Sequence, residues 1–251
     1  MSVPEAVAVM LVGMLAGGIN AVVGSGTLVT FPVLLAVGYP PVVANVSNSL
    51  GLVPGSVSGA IGYRTELGGQ RTRLLRLGAA ALFGAVLGAV LLLMLPASAF
   101  ETIVPALIVL ALVLVALQPW LSRKLAEMRE DRHPHGGPLL LLAIFGTGIY
   151  GGYFGAAQGV LMLALMGILM DENLQRINAV KNVLASVVNL SSGIVFVFIA
   201  DVAWLVVLLL AVGSIIGGQV GAKIGRRLSA VWLRGVIVIV GIAAIVQLLA
   251  P

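Results

Sequence analysis

The chain has no cysteine among its 251 residues, and only 9% of them are charged. The first absence removes disulfides, thiol catalysis and thiolate-bound metals. The second leaves too little polar surface to coat a soluble globule of this length. Aromatic residues are also scarce, at 6%. The two histidines, His133 and His135, flank Pro134 in a polar stretch, where solvation is their simplest state. No apolar run holds a histidine or a cluster of acids and bases, and Val23-Gly24-Ser25-Gly26 lacks the spacing of a hydrolase elbow. An enzyme is therefore disfavoured, and no cofactor or metal is expected.

What the chain does have is hydrocarbon. Hydrophobic residues make up 60% of it, and its mean hydropathy is +1.16. Long apolar runs between short charged loops describe an all-α integral membrane protein, not a barrel of alternating strands. The formal charge of +5 sits in short loops, where it sets membrane orientation, so it reads as topological and no nucleic-acid partner is expected. The amino-terminal residues carry Glu5 and no basic cluster, which fits a first membrane segment better than a cleaved signal.

Two long apolar blocks, residues 6–37 and 139–170, each exceed the ~20 residues of one crossing. Each is broken in the middle, at Gly24-Ser25-Gly26-Thr27 and at Gly155-Ala156-Ala157-Gln158-Gly159. Further runs cover residues 42–62, 77–95, 102–117, 174–199, 202–222 and 231–249. Residues 122–138 form the most polar stretch and divide the chain into a first repeat (1–121), a linker and a second repeat (139–251). The halves align in order: Gly17 with Gly148, Gly24 with Gly155, Asn48 with Asn182, Gly84 with Gly217 and Gly88 with Gly221.

The basic loops follow the second run of the first half but the third run of the second. If both face the cytoplasm, the copies lie in opposite orientations and each long block enters and leaves on one face. Two arms of ~14 to 16 residues at ~1.5 Å per residue fall short of a ~30 Å core, as a re-entrant hairpin would. The expected fold is an inverted repeat, each half a broken or re-entrant hairpin plus three transmembrane helices. Eight full crossings with parallel halves is the competing arrangement.

Gly24, Ser25, Gly26 and Thr27 precede a new helix and offer amides and hydroxyls suited to an anion. The same glycines also suit simple helix breakage and close packing; recurrence at Gly155 and Gln158 supports a site. Asn45, Asn48 and Ser49 share a helix face from which Ser56 is set apart, and Asn178, Lys181 and Asn182 recur in the second copy. Asn45 and Asn178 read as helix caps, whereas Asn48 and Asn182 lean towards a cavity. Lys181 is the one strong charge inside a run. Snorkelling explains such a lysine ordinarily; attraction of a negative solute is the functional alternative. Met162, Met166 and Met170 read as packing residues.

The stretch GGINAVVGSGTLVTFPVLLAVGYPPVVANVSNSLGLVPGSVSGAIGYR, with GIYGGYFGAAQGVLMLALMGIL and INAVKNVLASVVNLSSG in the second copy, resembles the TauE/SafE family of membrane permeases. The resemblance covers nearly the whole chain. It implies transport of sulfur-containing anions such as sulfite, sulfonates and sulfoacetate across the bacterial cytoplasmic (inner) membrane. The expected partners are thus a small anionic solute and the lipid bilayer, with a homo-oligomer left open. A passive channel built from the same residues is the rival mechanism.

Overall fold

The computed structural model describes residues 1–127 and 137–224, together with residues 239 and 242. The expected run at 231–249, and both histidines, lie largely or wholly outside the described residues. Within them the fold is all-helical: α1 (Val3–Val22), α2 (Thr27–Ala36), α3 (Pro41–Gly62), α4 (Arg71–Met94), α5 (Ala97–Glu127), α6 (Gly137–Tyr153), α7 (Gln158–Leu169), α8 (Leu174–Ile199) and α9 (Trp204–Ile224), with a 3₁₀ turn at Arg64–Leu67. Five of these helices, α1, α4, α5, α8 and α9, are long and apolar enough to cross a membrane. The chain is an integral membrane protein.

Local chemistry explains the boundaries. Ser2 and Glu5 form a reciprocal capping box at the start of α1, and Pro41 opens α3 at a position where no N–H is needed. The expected linker begins inside a helix, because Ser122 to Glu127 continue α5. The run expected from residue 77 begins at Arg71, so three arginines ride on the first turns of α4.

Glycines set the packing. Gly84 and Gly88 of α4 press on the backbone of Phe145 and Ile149 in α6, and Gly217 and Gly221 of α9 press on Met14 and Gly18 in α1. No side chain fits at these crossings. Helices in lipid associate through such close van der Waals approach, since burial of apolar surface gives them no advantage over lipid. The aligned glycines of the two halves therefore do the same work, and each half docks against the hairpin of the other.

The contacts also fix directions. Gly13 and Gly17 of α1 meet Leu210 and Ser214 of α9 in order, as do Gly51 and Gly55 of α3, so α1, α3 and α9 run parallel. With α1 and α3 parallel, the short α2 must carry the chain back to the end where α1 began. In the second half, α6 runs parallel to α4 through Gly148 and Gly152, and α4 and α8 start together at Arg73 and Glu172. There α7 returns the chain. Both long blocks reverse at their breaks, but their arms are unequal, 20 and 10 residues, then 17 and 12, and the first arm α1 is long enough to cross a membrane where arms of ~14 to 16 residues were expected. The break falls late in each block because Gly24 and Gly155 hold the positive φ angles (87° and 75°) that end the first arm. Finally, Gly59 lies beside Asn182 and Gly193 beside Leu50, so α3 and α8 are antiparallel.

Candidate functional site

The two breaks meet. The amide of Gly159 donates to the carbonyl of Gly24 at 3.0 Å, and a Cβ on either residue would lie 2.5 Å from the other's Cα. Beside this contact lies an enclosed cavity of about 10 Å³, bordered by Gly24, Thr27, Gly155, Gln158 and Asn182. That is room for about one water.

Five of the nine expected site residues thus border one space, and the other four lie just behind it. Gly26 donates its amide to Asn20 Oδ1 at 2.6 Å. Asn48 accepts from Thr30 Oγ1 at 2.5 Å and donates to Thr27 Oγ1 at 3.2 Å, fixing α2 on α3. Ser25 is fully buried and its hydroxyl has no partner. Lys181 does not snorkel: it is fully buried, and its ammonium donates to the carbonyls of Asn20 (2.6 Å) and Ala21 (3.4 Å).

Those carbonyls are the orphaned, negative end of α1. Asn178 and Asn182 also donate to the Ala21 carbonyl, at 3.1 and 3.2 Å. In the other direction, Asn45 of α3 donates to the carbonyl of Tyr153, the last residue of α6, at 2.9 Å. Asn45 and Asn178 do cap helices, but not their own. The N-caps of their own helices are Pro40 and Asn173, and the two asparagines close the first arm of the opposite half's hairpin.

Amides expected to be free are therefore engaged in this closed arrangement. Gly24 donates to Ile19, Gly26 to Asn20 and Gly159 to Gly24. Among the buried side-chain atoms around the breaks, Ser25 Oγ, Ser56 Oγ, Gln158 Oε1, Asn45 Oδ1, Asn178 Oδ1 and the Tyr153 hydroxyl have no partner. Neither α2 nor α7 has a side-chain N-cap.

Asn20, Ser56 and Asn189 also border the cavity, and sequence reasoning did not select them. Ser56 sits two helical turns beyond Asn48, and Asn189 two turns beyond Asn182. Asn189 accepts from Gln158 Nε2 at 3.2 Å. Periodicity along α8 could have found Asn189, and the setting apart of Ser56 is corrected: eleven residues, about three turns, beyond Asn45, it returns to the same side of α3 and borders the cavity.

A second polar cluster joins the halves at the basic-loop end. Arg73 of α4 is buried and bonds Glu172 at 2.9 Å, while Arg176 bonds the other carboxylate oxygen at 3.0 Å. Arg73 also reaches Gln70, whose amide bridges to the Arg176 carbonyl at 3.3 Å. Burial raises the Glu172 pKa, but the Arg73 bond, the Asn173 amide and the charge of Arg176 outweigh it and hold the carboxyl below its ordinary range.

Two broken hairpins that cross at their glycines within a bundle of membrane-spanning helices define a solute-transport protein of the broken-helix type. Residues 9–248 match the family described as sulfite exporter TauE/SafE, and the chain belongs to that family. It is 29% identical to the probable membrane transporter protein YfcA of Escherichia coli strain K12, over 95% of this chain and 87% of that protein. It is 29% identical to the probable membrane transporter protein ORF9 of Sinorhizobium sp, over 94% and 89%, and to a probable membrane transporter protein of Haemophilus influenzae, over 91% and 88%. No solved structure matches the chain. The protein is a membrane permease.

Proposed function

We propose that the solute is a small sulfur-containing oxyanion, of the sulfite, sulfonate or sulfoacetate class, carried across a bacterial cytoplasmic membrane between the two glycine breaks. The observation that carries this reading is the contact of Gly24 with Gly159 beside a polar cavity. The family description supplies the sulfur class.

A cavity of about 10 Å³ is closed to any such anion. Entry requires the breaks to part, which frees the Gly159 amide and brings the uncapped start of α2 and the amides of Asn178 and Asn182 within reach of negative charge. Lys181 can exchange a backbone carbonyl for the solute as they do so. Gln158, Thr27 and Ser25 add neutral donors. The antiparallel contact of α3 with α8 supports the inverted arrangement of the halves, in which rocking of one against the other exposes the site to alternate faces.

Flux into and out of reconstituted vesicles, with sulfite, thiosulfate, sulfate, sulfoacetate and taurine, tests the assignment. Saturable flux of a sulfur oxyanion with counterflow is expected; linear flux without counterflow means a channel, and no flux of any of the five removes the sulfur class. Orientation is tested separately with Gly68→Cys and Asp171→Cys, which should react from the same face. Reaction from opposite faces rules out inversion.

A further inference from the structure

On the outer side of the α3–α8 contact lies a second and larger recess, of about 340 Å³, open along its length and separate from the central cavity. Val57, Ile61 and Leu190 form its exposed walls, with Val183 and Val187 at its floor. The hydroxyl of Ser186 turns back to the Asn182 carbonyl at 2.8 Å, so the surface offered is hydrocarbon. A recess of this size is in the range of ligand sites, and in a bilayer its natural occupant is an alkyl chain.

One end is different. Arg64 closes the recess just past the end of α3, is exposed, and makes no ion pair among the described residues. Because α3 and α8 are antiparallel, the recess runs from this arginine at the basic loop towards the middle of α8. A charge at the membrane surface above a hydrocarbon slot matches the two ends of a charged lipid.

We propose that the recess holds one acyl chain of an anionic phospholipid whose phosphate rests on Arg64. The occupant would lie against the backs of the helix turns that carry Ser56 and Asn182 to the central cavity, since Val57 and Val183 adjoin them in sequence. This assignment is independent of which solute the protein carries.

Native mass spectrometry of the full chain, titrated with phosphatidylglycerol or phosphatidylcholine, tests it. The wild type should prefer the anionic lipid by about fivefold, the worth of one basic side chain near a membrane surface. Arg64→Gln should equalise the two lipids while leaving chain binding, and Val187→Trp should displace both. Arg64 is exposed, so the first variant folds whatever the second does. Equal binding of both lipids to the wild type, an unchanged preference in Arg64→Gln, stabilisation by glycerol phosphate alone, or a second copy of the chain cross-linked through Ile61→Cys in place of lipid would each overturn the proposal.

Discussion

Gly24 and Gly159 touch through their backbones, one amide on one carbonyl at 3.0 Å, from opposite halves of the chain. Each sits just where its hairpin turns, so the contact joins the two interruptions directly.

Gly159→Ala puts a Cβ 2.5 Å from the Gly24 Cα, a clash that only backbone movement relieves. Stability should fall by about 1–3 kcal/mol, the usual range for overpacking, and anion flux should be lost. Gly146→Ala is the control: nothing lies within 4 Å of its Cβ, and in a helix it should be neutral or slightly stabilising. Thermal unfolding in detergent and vesicle flux read both; a Gly159→Ala protein with normal stability and flux would mean that the breaks do not need this approach.

Lys181→Met removes the strongest bond to the Asn20 carbonyl and leaves a buried acceptor short of its partner. The expected loss is about 1–3 kcal/mol, together with loss of flux in the protein that remains folded. Asn178→Ala shares the capping role without the charge. If the two variants lose flux equally, Lys181 acts through the helix end alone and its role towards the anion is refuted.

Glu172 titrates below the ordinary carboxylate range in the folded protein. Its unfolded value is ~4.3, so its contribution is complete above that pH and disappears as pH falls through the lower folded value. The melting temperature of the wild type should drop below about pH 4, and Glu172→Gln should be less stable at neutral pH and lose less on acidification. Parallel pH profiles for the two proteins would show that the carboxylate is not what ties Arg73 to Arg176.

The antiparallel pairing of α3 and α8 has a direct check, made clean by the absence of native cysteine. Leu50→Cys with Gly193→Cys should cross-link, because the Gly193 Cβ position lies 2.6 Å from a Leu50 methyl. Leu50→Cys with Ile177→Cys should not. The reverse pattern would require parallel helices.

Hydropathy and the order of aligned glycines made much of this fold legible. The hairpins, the start of α8 and the function of Gly84, Gly88, Gly217 and Gly221 follow from residue type and spacing. What did not follow was exchange between the halves. Asn45 and Asn178 look like caps of their own helices because a cap is a local pattern, whereas the carbonyls they meet lie 108 and 157 positions away. Lys181 was visible as a charge inside an apolar run, but neither its burial nor its partners were, since those partners are main-chain oxygens, which leave no trace in side-chain identity. The Arg73–Glu172 bond was hidden for a related reason: a loop rich in arginine reads as a topological signal, and nothing local says that one of its members is folded inward.

Because the Ala21 carbonyl is satisfied by Asn178, Lys181 and Asn182, the first hairpin leaves the ribosome long before the groups that hold it have been synthesised. Its glycine turn must wait, incompletely secured, until α8 enters the bilayer, and α9 then arrives to cover α1. Assembly is thus finished by the late-made part of the chain reaching back, and a polypeptide stopped after the first repeat would hold its turn only through the bonds of Asn20 to Gly26 and of Asn48 to Thr27 and Thr30.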